Sequence, residues 1–174
     1  MFKNTIFRRM TALVLTLALA AAAALPGLAV YPMPIQTASE TEAVYLFNAD
    51  TGKTILNQNA DQQQYVASLT KLMTALLLLE SGKDLNGEVT VPTALTQEFR
   101  DIQNANGTTM GLRIGETVRR IDLLNAMLIV SANDAASVIA WDVGGSVVGF
   151  VQQMNAKAAE LGCTGTNFTC AHGL

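Results

Sequence analysis

Ala67-Ser68-Leu69-Thr70-Lys71-Leu72-Met73-Thr74-Ala75 opens an apolar run that continues through Leu76 to Leu79 and closes at Glu80 and Gly82. The pattern predicts a helix over 68–80 that is apolar nearly all round, and such a helix is normally buried at the centre of a domain. Its polar residues Ser68, Thr70, Lys71 and Thr74 cluster near its start. Positions three apart share a helix face, so Ser68 and Lys71 lie side by side. Burying a lysine is costly unless something uses it. Desolvation and the positive end of the helix dipole both favour its neutral amine. A neutral amine beside a hydroxyl can take the proton and make the serine a nucleophile. First-turn backbone N–H groups point the right way to stabilise an oxyanion. The spacing alone is weak evidence. Ser and Lys each make up roughly 6–7% of residues, so the pair arises by chance about once in a chain of this length. A capping serine with a lysine snorkelling to solvent accounts for it as well.

Outward from this stretch, Ser131-Ala132-Asn133 interrupts two apolar helical runs, 121–130 and 134–143, with Asn133 or Asp134 as the cap of the second. A hydroxyl and a carboxamide in such a break can face the first site. The serine would relay a proton to a leaving amine and the asparagine would bond a substrate amide. Helix punctuation by polar residues explains the tripeptide equally. Gly144-Gly145 ends the second run. Ser146 then caps a last helix whose apolar face is Val147, Phe150, Val151, Met154, Ala158 and Leu161, with Gly162 as its stop. Toward the N-terminus, 43–48 and 53–57 flank Asp50-Thr51-Gly52 and read as a β-hairpin. Residues 87–120 read as short strands and loops, and 163–174 as irregular.

The chain has 174 residues, enough for one compact domain with a core. Residues 1–29 read as a secretory signal peptide: Lys3, Arg8 and Arg9, then the apolar Thr11 to Leu25, then Pro26 and Gly27-Leu28-Ala29 at the cleavage site. An uncleaved anchor is the competing reading, although an apolar stretch of about 15 residues is short for a span of about 20. Cleavage removes three cations and no acid, taking the formal net charge from −3 to about −6. A chain that acidic lacks the electrostatic footprint of a nucleic-acid binder. Residues 30–42 read as a linker and 43–174 as the folded part. Cys163 and Cys170 are the two cysteines. Export permits a disulfide between them, but two unpaired thiols are the favoured reading. No metal-site spacing occurs, and His172 reads as a loop-packing residue rather than a catalyst.

Taken together, the two motifs resemble those of the D-alanyl-D-alanine carboxypeptidases, the low-molecular-mass penicillin-binding proteins of the S11 peptidase type. The first is Ala67 to Ala75 and the second is Ser131-Ala132-Asn133-Asp134-Ala135-Ala136. Further matches follow in order: 48–53, 115–118, 154–157, 160–162 and the closing His172-Gly173-Leu174. The resemblance implies an α/β (α+β) fold of the serine β-lactamase/transpeptidase type. It implies that Ser68 attacks the bond between the two terminal D-alanines of a peptidoglycan stem peptide. Lys71 would accept the proton, Ser131 would relay it and Asn133 would hold the substrate backbone. It implies β-lactam antibiotics as covalent inhibitors, no metal or organic cofactor, and an exported enzyme at the extracytoplasmic face of the bacterial envelope. Membrane association would come only through an uncleaved signal or a C-terminal region not present here.

The family's third motif, Lys-Thr-Gly, occurs nowhere in this sequence. The expected fold is therefore incomplete, an N-terminal hairpin plus a helical subdomain, with later sheet strands missing and an apolar face uncovered. A class A β-lactamase is an alternative, but the acid it would need has no counterpart in 165–169. A non-catalytic penicillin- or wall-binding module is another, though all four site residues are intact. The expectation is that the 174-residue chain expressed alone is unstable and nearly inactive; a folded monomer that labels stoichiometrically with fluorescent penicillin overturns it.

Overall fold

The structure is a computed structural model that describes residues 41–174. The signal peptide and most of the linker read from the sequence lie outside the described residues. Two compact units divide at Gln58 and Asn59. The first contains an antiparallel hairpin, β1 (Val44–Asn48) and β2 (Lys53–Gln58). Its turn closes through Gly52 N–H to the Asn48 carbonyl and Thr51 N–H to Asn48 Oδ1, at 2.9 and 2.8 Å. Register shifts between Leu46 and Phe47.

The second unit is helical. A 3₁₀ turn, Ala67–Leu69, leads into α1 (Thr70–Glu80). Strand β3 (Glu88–Thr90) pairs antiparallel with β4 (Thr117–Arg119). Between them lies α2 (Thr96–Asn104), followed after β4 by α3 (Arg120–Ile129), α4 (Asn133–Gly144) and α5 (Val147–Glu160). The core is built on α4, whose Ala135, Ala136, Val138, Ile139 and Ala140 are buried against Leu78 of α1, Met127 of α3 and Phe150 of α5. Small residues on α4 let the three helices close around it. Ser146 caps α5 by accepting the Gly149 N–H at 2.9 Å. Among the described residues no single helix is long and apolar enough to cross a membrane.

Three expectations are corrected. Helix α2 occupies part of the segment read as strands and loops; its only large apolar residues are Phe99 and Ile102, so one narrow stripe carries it. Helix α1 is not buried all round, since Leu72 is 61% and Leu79 56% exposed, with Leu69 on the same side. The four described strands form two separate pairs, which fits the expected incomplete fold. Finally, neither Asn133 nor Asp134 caps α4, whose capping position is Ala132.

Asp134 does something else. Its buried carboxylate accepts the N–H groups of Met110 and Ala135 on Oδ1, at 3.0 and 2.9 Å, and those of Gly111 and Leu112 on Oδ2, both at 3.0 Å. Gly111, at φ +85°, lets three successive N–H groups converge on one anion. This ties the 108–112 loop to the start of α4. Hydrogen bonds to an ionised group are each worth roughly 1.5–3 kcal/mol. Asp134→Ala should therefore lower stability by about 3 kcal/mol or more and speed amide exchange at 110–112, measured by chemical denaturation and hydrogen-exchange NMR.

Candidate functional site

Two elbows of left-handed backbone bring the predicted residues together. Ala67, at φ +48°, turns the chain into the 3₁₀ turn that carries Ser68, so the serine stands two residues before α1 rather than within it. Ser131, at φ +61°, forms the corner between α3 and α4. The two hydroxyls meet at 2.8 Å. They open onto a cleft of about 410 Å³ lined by Val66, Leu69, Leu72 and Leu128. Ser68 is exposed at its rim, whereas Lys71 is only 2% exposed beneath it.

Lys71 Nζ has three neighbours: Asn133 Oδ1 at 2.7 Å, the His172 main-chain carbonyl at 2.9 Å and Ser68 Oγ at 3.1 Å. The first two are carbonyl oxygens and can only accept. A neutral amine has two N–H groups and one lone pair. With both hydrogens taken by carbonyls, the lone pair is left facing Ser68. Asn133 cannot turn its amide over, because its Nδ2 donates to the Thr108 carbonyl at 3.0 Å. Thr108 also accepts the Asn133 N–H, at 2.8 Å, so the loop held by Asp134 in turn fixes Asn133. Burial pulls Lys71 below the ordinary lysine range, against a smaller upward pull from Cys170.

The far side of the amine is a segment without regular structure. Thr74 Oγ1 donates to the Ala171 carbonyl at 2.6 Å. The buried His172 ring packs here as a loop residue, with Nε2 at 3.2 Å from Glu98 Oε1. That bond, ahead of opposing burial, holds Glu98 below its usual carboxylate range. Burial pulls the His172 imidazole down, but Cys170 and Glu98 outweigh it and hold the ring at about 9; the contact with His172 brings the Cys170 thiol to about 6. The Leu174 N–H, aimed at Nδ1 from 3.1 Å, instead suits a neutral ring. Either state leaves a hydrogen on Nε2 facing Glu98. Both cysteines are free thiols. Among the described residues no group of three or more His, Cys, Asp or Glu is placed to hold a metal ion.

The structure thus gathers Ser68, Lys71, Ser131 and Asn133, the four residues singled out from the sequence. It adds the Thr108 and His172 carbonyls, Asp134 and Glu98. Main-chain acceptors leave no sequence signature, and Glu98 lies 74 residues from His172 in a segment read as loop.

A family model described as D-alanyl-D-alanine carboxypeptidase matches residues 32–174. The chain is 33% identical over 142 residues to the D-alanyl-D-alanine carboxypeptidase DacF of Bacillus subtilis, covering 80% of this chain and 35% of that one. It is 34% identical over 142 residues to a D-alanyl-D-alanine endopeptidase of Pseudomonas aeruginosa, covering 82% and 44%. The crystal structure of the Streptomyces K15 DD-transpeptidase aligns with a TM-score of 0.67 at 30% identity, over 74% of this chain and 51% of that chain. The chain therefore spans between about a third and a half of the length of these relatives.

Gly173 closes the site from below. At φ +79°, a side chain there would collide with the Ala67 carbonyl oxygen and stand 2.7 Å from Thr70 Oγ1, against the turn that carries Ser68. Gly162 has a similar φ of +78° and open space around it. Gly162→Ala should therefore cost only about 1 kcal/mol of backbone strain, whereas Gly173→Ala adds a backbone collision and should cost about 3 kcal/mol or more. Thermal denaturation of the two variants separates strain from collision.

Proposed function

Since the chain belongs to the D-alanyl-D-alanine carboxypeptidase family, we propose that it carries the nucleophile half of a serine-type peptidase acting on peptidoglycan stem peptides that end in D-Ala-D-Ala. One observation carries this reading: Ser68 Oγ lies 3.1 Å from a buried amine whose other two neighbours are pure acceptors, and 2.8 Å from a second hydroxyl.

In the proposed reaction Ser68 Oγ attacks the carbonyl carbon between the two D-alanines as Lys71 Nζ takes its proton. First-turn N–H groups steady the oxyanion. The tetrahedral adduct collapses when the C–N bond breaks. Ser131 passes a proton to the departing amine, releasing D-alanine and leaving an ester on Ser68. Water then hydrolyses the ester, frees the shortened peptide and restores the serine. Asn133 holds Lys71 through Oδ1 and offers its remaining Nδ2 hydrogen to the substrate backbone. These steps call on no metal or cofactor. A β-lactam carries a strained amide in place of the scissile bond and acylates Ser68 by the same route. The substrate places the enzyme on the outer side of the bacterial cytoplasmic membrane, in keeping with the export signal read from the sequence.

Similarity to a D-alanyl-D-alanine endopeptidase favours a second reading, cleavage of an internal rather than a terminal bond after D-alanine. Both share the acyl-enzyme on Ser68, so product analysis distinguishes them: free D-alanine from a pentapeptide for the first, two peptides from a cross-linked substrate for the second.

Fluorescent penicillin should label the chain at Ser68, at the low level expected of these 174 residues alone, and Ser68→Ala should abolish that labelling. Lys71→Met should slow it by about 10² or more. The amine must be deprotonated to act, and its pKa is depressed by burial. Labelling should therefore rise with pH and level off below the 10.5 of an ordinary lysine. Undiminished labelling of Ser68→Ala overturns the assignment.

A further inference from the structure

We infer that Glu98 is a positioning residue for Lys71, acting through the His172 ring to hold the main-chain carbonyl that takes one of the two N–H groups of the amine. The inference rests on the reading of Lys71 as the base. Glu98 does not touch the amine. It stands in the first turn of α2, where Oε1 accepts from His172 Nε2 at 3.2 Å and from Ser137 Oγ of α4 at 3.1 Å. The same histidine accepts Lys71 Nζ on its carbonyl at 2.9 Å.

Three features make this pair consequential. First, residues 171–174 belong to no helix or strand, so no ladder of backbone bonds sets where the His172 carbonyl points. It is set by side chains: Thr74 on the Ala171 carbonyl and Glu98 on the His172 ring. Second, the arithmetic of the amine leaves no redundancy. Two carbonyls absorb its two hydrogens, and if one moves away that hydrogen turns to another acceptor, of which Ser68 Oγ is already at 3.1 Å. A hydrogen aimed at Ser68 is a lone pair aimed elsewhere. Third, Glu98 holds the ring through Nε2 in either protonation state, so the pair behaves as a strut between α2 and the amine. Ser137 ties the foot of the strut to α4, the helix that also carries Asn133. Both acceptors of Lys71 are thus referred to one helix.

The role requires a hydrogen-bond acceptor, not a charge. Glu98→Gln keeps an oxygen in place and Glu98→Met removes it at equal length. The full 174-residue chain, wild type and both variants, is labelled with 13Cε-lysine and the Lys71 signal is titrated by NMR; penicillin acylation rates and melting temperatures are measured on the same samples. The titratable groups around the amine are Cys170 and the Glu98–His172 pair. Glu98→Gln is expected to acylate within about twofold of wild type with an unchanged Lys71 titration. Glu98→Met is expected to acylate about tenfold more slowly, with Lys71 titrating lower than in wild type, since its ammonium loses an acceptor. A merely structural residue would lower the melting temperature and leave the titration of the folded protein where it was. The inference is overturned if Glu98→Met titrates and acylates like wild type, or if Glu98→Gln behaves like Glu98→Met. Penicillin uptake that Ser68→Ala does not diminish refutes the peptidase reading, while the Lys71 titration still decides whether Glu98 holds the amine. Should Glu98→Met fail to fold, His172→Leu deletes the same bond from the other side, keeps the carbonyl, and is judged by the same titration.

Discussion

A primary amine sits almost wholly out of water at Lys71, and the local architecture answers to that. An ammonium in a low-dielectric interior is costly, and a neutral amine there still needs partners for its hydrogens. The chain meets this with acceptors that come from far along the sequence, the Asn133 amide and the His172 carbonyl. Each acceptor is itself held. Thr108 orients Asn133, Asp134 anchors the loop that carries Thr108, and Glu98 and Thr74 anchor the segment that carries His172. The polar network passes through the interior without an orphan: among the described residues no buried side-chain nitrogen or oxygen lacks a hydrogen-bond partner.

The hydroxyls are treated differently. Both follow from backbone elbows in the left-handed region, at Ala67 and Ser131, where a side chain is unfavourable. Such conformations cost of order 1–3 kcal/mol each and persist only when their surroundings over-determine them. For Ala67 the surroundings are Gly173, close enough to leave no room for a Cβ. For Ser131 they are the ends of α3 and α4, whose buried Met127, Ala132 and Ala135 admit no slack. Strain beside the two hydroxyls is thus offset by packing behind them.

Much of this was legible in the sequence, and the parts that were not share a cause. The helices α1, α3, α4 and α5 carry long apolar runs or a clear 3.6-residue period, and their bounds follow from glycines and a serine cap. Helix α2 has two large apolar residues among charged ones, too few to separate from a loop. Ser68, Lys71, Ser131 and Asn133 carry distinctive side chains at distinctive places. The carbonyls that complete the lysine's shell belong to every residue alike, so nothing in the letters at 108 or 172 announces them. The exposure of Leu72 and Leu79 was hidden for another reason, because an apolar run states what a helix can bury and not what is there to cover it.

The partners of Lys71 lie 3, 62 and 101 residues away from it. Ser68 and Lys71, the proposed nucleophile and base, are neighbours once the 3₁₀ turn and the first turn of α1 form, yet neither is useful then. A chain folded only as far as α3 has an amine that water solvates freely and that stays protonated at neutral pH. Burial lowers its pKa only after α4 brings Asn133 and the segment at His172 has closed beneath it. On the proposed reading this spacing is a safety catch: the serine is synthesised early, and the partners that would arm it come late in the chain.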